Sequence, residues 1–158
     1  MKRLKNLASA IFFSPEMLLI VTVLIFWWWW RDPLVYLGRE LPIDSEIWKY
    51  WPTAVFGLAG LSVFGYSSKI RAPLESSSNK ALYDWPNYRL LVDRVHVAIL
   101  FNVGYCGIAA SVWALGKSWP RELVGALFVI AVVGALITVL TMLFAHQRLR
   151  ELLEKFST

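Results

Sequence analysis

The ionisable side chains of this chain cluster at the edges of its apolar runs, where a charge has few places to go. Glu16 precedes the uncharged residues 17–30, Asp93, Arg94 and His96 stand at the head of the run over 90–115, and His146 follows the uncharged residues 123–145. Asn102 lies well inside the 90–115 run. Gathered at one level, these groups could form a small polar site in which Glu16 pairs with Arg94 and His96 titrates near neutrality, gating a pore or receiving a ligand or partner. They could equally anchor helix ends, with aliphatic stems in apolar surroundings and charges in water. Each lies within a turn or two of a run's end, so anchoring is the simpler expectation. The Asn102 amide must find partners wherever it sits. A hydrogen bond to a neighbouring helix, worth about 0.6–2 kcal/mol, accounts for it without any transported substrate.

The runs that hold these groups are membrane-like. The chain has 158 residues, is 58% hydrophobic and has a mean hydropathy of +0.53, well above the roughly 45–50% apolar usage of soluble domains. Spans of about 20 residues each give an all-α, polytopic membrane protein with four transmembrane helices over 15–30, 51–68, 90–115 and 121–145. A short interfacial helix over 1–13 precedes them, and an amphipathic extension over 146–158 follows. Residues 31–50 and 69–89 read as loops on opposite sides of the membrane, and the whole is one domain.

Local chemistry sets the boundaries. Ser14-Pro15-Glu16 is a helix start, since Ser accepts a bond from an orphan amide, Pro suits the first turn and Glu complements the dipole. The 14 residues after Glu16 cover only about 21 Å of a roughly 30 Å hydrocarbon layer, so either the bilayer thins or Glu16 lies inside its boundary. Trp27, Trp28, Trp29 and Trp30 encircle the helix end as an interfacial collar, and Trp48 and Trp51 anchor the start of the second span on the same side.

Small residues mark close approach of helices. Gly57 and Gly60 in the second span, Gly107 and Ser111 in the third, and Ala131 and Ala135 in the fourth have the spacing that lets backbones meet. The partner helix could belong to this chain or to another subunit.

Other classes find little support. The net charge of +5 is spread between apolar runs rather than interleaved with aromatics in one patch, so no nucleic acid is expected. A lone cysteine, Cys106, excludes a disulfide framework. The basic start Met1-Lys2-Arg3 lacks a following cleavage site and is expected to be retained. No nucleophile elbow, His-Glu-x-x-His pair or phosphate-binding loop occurs, so neither catalysis nor a cofactor or metal is expected. The sequence therefore points to a non-enzymatic membrane component acting through helix–helix and cytoplasmic protein contacts, as a homo-oligomer or hetero-complex. An immunity or exclusion protein, or the membrane subunit of a bacterial defence or signalling complex, would fit. The alternative is a homo-oligomeric channel or membrane-permeability effector.

Lys and Arg counts orient the chain. Eleven fall in the N-terminus, the 67–94 segment and the tail, against five in the other two connections, which places both termini in the cytoplasm of an inner membrane. A reporter fused after Thr158 is expected to be active only in its cytoplasmic form, and external activity would reverse the orientation.

Overall fold

The computed structural model describes residues 11–12, 14–71, 83, 85 and 87–156. The interfacial helix expected over 1–13 and most of the 69–89 loop lie outside them. Among the described residues every regular element is helical: α1 Pro15–Trp29, α2 Asp32–Glu40, α3 Trp51–Gly60, α4 Ser67–Arg71, α5 Tyr88–Leu115 and α6 Arg121–Phe156. A 3₁₀ turn, Glu46–Tyr50, leads into α3, and a π-helical segment, Leu61–Tyr66, joins α3 to α4. Two helices, α5 and residues 121–151 of α6, are long and apolar enough to cross a membrane. A third crossing follows if α1 and α2 count as one broken span.

α1 begins where the sequence places it. The Met17 N–H donates to Ser14 Oγ at 3.1 Å, with Pro15 in the first turn. It is 15 residues long, about 22 Å, and ends when Trp30 leaves helical geometry. Arg31 Nε donates to the Trp27 carbonyl at 3.0 Å, covering an otherwise orphan acceptor. The chain then bends by 103° into α2, with Pro33 in that helix's first turn.

α2 lies in the segment expected to be a loop. Its apolar face, led by the buried Leu34, packs against the start of α6 because neither backbone carries a side chain at the crossing. A Cβ on Gly38 would strike the carbonyl of Arg121, and one on Gly125 would strike the carbonyl of Leu34. The loop beyond α2 is tied down by Lys117 Nζ, 3.0 Å from Asp44 Oδ1. That hydrogen bond and charge hold the Asp44 carboxyl below its ordinary range.

From α3 to α4 the backbone is helical without interruption, since Gly60, Leu61 and Ser67 at the junctions all have right-handed helical φ and ψ. Within the π segment and just after it, Ser62 Oγ donates to the Leu58 carbonyl and Ser67 Oγ to the Val63 carbonyl. Such back-bonding competes with the regular ladder and distorts helices.

α6 is the hub, packing against every other described helix. Its buried face reads Val124, Gly125, Ala126, Ile130, Ala131, Gly134, Ala135, Thr138 and Met142. At 36 residues it measures about 54 Å, well beyond a hydrocarbon layer. The expected tail is thus a helical continuation of the last long helix, and its Leu149 packs on a small cluster of Ile70, Val95 and Met142.

Gly38→Ala is expected to destabilise the protein by about 1–3 kcal/mol, because two backbones must separate. Gly57→Ala, where a Cβ meets nothing within 4 Å, should be neutral or stabilising by up to about 1 kcal/mol through helix propensity. Thermal unfolding of the detergent-purified protein, followed by tryptophan fluorescence, compares the two. Equal melting of Gly38→Ala and the unaltered chain would show that α2 does not rest on α6.

Candidate functional site

Glu16 is the feature that most needs explaining, because it sits in the first turn of α1 yet is only 4% exposed. A buried carboxylate is costly without partners. Its partner is on the hub helix: Thr138 Oγ1 lies 3.1 Å from Glu16 Oε1 and 3.0 Å from the Gly134 carbonyl of its own helix. A hydroxyl has one proton to donate, so it cannot satisfy both acceptors fully. The α1 dipole supplies further positive potential at this end.

α5 contributes the other wall. Its buried face runs Asn102, Tyr105, Ala109 and Val112, a spacing of three to four that keeps them on one stripe. The Tyr105 ring lies flat on α6, where a Cβ on Gly134 would collide with it. Its hydroxyl comes close to Thr138 and Glu16 but has no hydrogen-bond partner of good geometry. One turn away, both polar atoms of Asn102 are buried without a partner, the residue being 1% exposed. Orphan buried polar atoms are uncommon and each demands a physical account. Here they accompany a buried carboxylate.

A cleft of about 210 Å³ reaches Glu16 from the end of the bundle where α1 starts. Ile70, Leu91, Val95 and Met142 give it apolar walls, while Ser14, Glu16, Arg94 and Thr141 are its polar lining. Glu16 and Arg94 thus share one cleft, but no ion pair joins them, and Arg94 is exposed. Asp93 is buried beside it in sequence. His96 is exposed, with Nδ1 2.7 Å from the Val92 carbonyl of its own helix. His146 Nδ1 lies 3.3 Å from the Lys69 carbonyl, so in the tautomer protonated there it donates to the last turn of α4 and fastens it to α6. The two histidines are therefore not gathered with Glu16.

The remaining residues singled out from the sequence divide into two sets. Ala131 and Ala135 are fully buried in the core. Gly57, Gly60 and Gly107 have nothing within 4 Å of a Cβ position, and Gly57, Gly107 and Ser111 are exposed. Trp28, Trp29 and Trp30 are also exposed, with Trp27 half-buried. Trp48 and Trp51 instead stack on each other and on Phe128, with ring centroids 4.6–6.5 Å apart. Both indole nitrogens are buried without a partner, so these two rings pack within the protein. Among the described residues no three His, Cys, Asp or Glu side chains converge as a transition-metal site.

Sequence reasoning found Glu16 and Asn102 but not Thr138 and Tyr105 as their company. The available signal was the i, i+3 relation of Asn102 to Tyr105, two polar side chains on one stripe of an apolar helix.

No known protein family, curated protein or solved structure matches the chain.

A double-mutant cycle tests the central contact. Thr138→Val and Glu16→Gln are expected to interact by about 0.5–3 kcal/mol in unfolding free energy. Strictly additive effects would mean that the hydroxyl and the carboxyl do not meet.

Proposed function

We propose that the chain is a four-span integral membrane protein acting as a non-enzymatic component, through contacts of its helices and cytoplasmic segments with another protein or a further copy of itself. The fourth span would be the helical run from α3 to α4, residues 51–71, which carries no charge before Lys69 and is roughly 30 Å long. The counts of Lys and Arg support cytoplasmic termini in a bacterial inner membrane. Its place would be that of an immunity or exclusion protein, or of the membrane subunit of a defence or signalling complex.

One observation carries the interaction reading: the small residues do two different jobs. Gly38, Gly125, Ala131, Gly134 and Ala135 pack the chain's own helices. Gly57, Gly104 and Gly107 lie in α3 and α5 with open space beyond them. Glycine inside a helix costs about 1 kcal/mol relative to alanine, and lipid alone gives no reason to accept that cost. Close approach of a helix from outside this chain does. The lack of any nucleophile elbow, metal motif or phosphate loop in the sequence supports a non-catalytic role.

A homo-oligomeric channel is the competing reading. Asn102, the polar residue best suited to line a pore, faces the interior of its own chain, which weighs against a pore between subunits.

Extraction in mild detergent, with mass measured on the intact particle, is expected to give an assembly larger than the 18.1 kDa chain. Gly57→Leu and Gly107→Leu should dissociate it without lowering the melting temperature of the released chain. A lone monomer from the unaltered protein would defeat this reading, and ion flux from reconstituted liposomes would favour the channel.

A further inference from the structure

The structure assigns to the Glu16–Thr138–Tyr105 cluster a binding site for a small monovalent cation, with sodium as the ion of best fit. The donors are hard oxygens: the Glu16 carboxylate, the Thr138 hydroxyl and the Tyr105 hydroxyl, brought together from α1, α5 and α6. The Tyr105 hydroxyl is the independent indication of a ligand. It belongs to a residue 1% exposed, lies against Gly134 one turn before Thr138 on α6, and makes no hydrogen bond of good geometry. On the same stripe, one turn nearer the cleft mouth, Asn102 Oδ1 is a further buried oxygen without a partner.

Charge and spacing choose the ion. One carboxylate among neutral oxygens is balanced by a single positive charge, whereas a divalent ion would leave a surplus charge inside an apolar bundle. The Thr138 hydroxyl oxygen stands 3.1 Å from Glu16 Oε1. An ion with oxygen contacts of about 2.3–2.6 Å, the range that calcium uses, packs its ligands at about that separation. Sodium has nearly calcium's size and half its charge. Larger potassium would have to spread oxygens that are held by two packed helices. The hydroxyls of Thr138 and Tyr105 turn their protons away when they coordinate, and the Thr138 proton then goes wholly to the Gly134 carbonyl.

The cleft lined by Glu16 and Thr141 provides the entry path. Arg94 also lines it, but is exposed, so water screens its repulsion.

The test uses the full chain in detergent, melted in sodium, potassium and choline chloride at equal ionic strength. Sodium is expected to raise the melting temperature saturably, by mass action on the folded state, and potassium to do so less. Tyr105→Phe, which removes one oxygen and keeps the ring over Gly134, should weaken retention of radiolabelled sodium several-fold while leaving the melting temperature in choline close to that of the unaltered chain. Glu16→Gln should abolish the sodium effect. Identical melting in the three salts with no saturable sodium retention would overturn the proposal, as would a sodium effect that survives Glu16→Gln.

Discussion

The close approach of backbones along α6 is the constraint on which the rest of the structure depends. A helix can come within hydrogen-bonding reach of another only where side chains are small, and α6 provides Gly125, Ala131, Gly134, Ala135 and Thr138 on one face. At Gly125 the α2 backbone lies directly against it, and at Gly134 the ring of Tyr105 does. At Thr138 the stripe offers a hydroxyl, and there α1 inserts its only buried carboxylate. The positions of α1, α2 and α5 are therefore all set by what α6 lacks.

The short first helix gains its meaning from this packing. With only about 22 Å of helix, α1 cannot place both Glu16 and the tryptophans at the surfaces of an ordinary bilayer. The fold treats the two ends differently. Glu16 is covered by Thr138 and the walls of the cleft, while the far end turns through 103° into α2 and lies down on α6. The exposed Trp28, Trp29 and Trp30 remain at the bend, where an indole with one polar atom is best accommodated at a membrane surface. Trp48 and Trp51 have a different fate, since their rings stack on each other and on Phe128 of α6.

Polar groups inside the bundle follow from the same geometry. Serines and threonines satisfy themselves on the preceding turn of their own helices, as Ser62, Ser67 and Thr138 do. Tyr105 and Asn102 cannot, because their side chains point away from their own backbone toward the helices opposite. They concentrate unsatisfied polarity at one level, next to the carboxylate. That concentration distinguishes the Glu16 region from the other charged helix ends, where His96 and His146 find backbone carbonyls.

What the sequence determined was whatever depends on the single helix and its solvent. Run lengths and hydropathy identified α5 and α6, Ser14-Pro15-Glu16 set the start of α1, and the short run after Glu16 left a choice between a thinned bilayer and a carboxylate inside its boundary. What only tertiary structure decided was which side of each helix meets protein. In a soluble protein the polar face announces the surface. A membrane-spanning helix is apolar on both its lipid-facing and protein-facing sides, so periodicity could not tell the buried Ala131 and Ala135 from the outward Gly57 and Gly107. Nor could it show that residues 32–40 fold back as a helix on α6, since that depends on two glycines far apart in the chain, Gly38 and Gly125, coming into register. The partner of Glu16 was illegible for the same reason: Thr138 lies 122 residues away, and only the antiparallel packing of α1 on α6 brings its hydroxyl to the carboxylate.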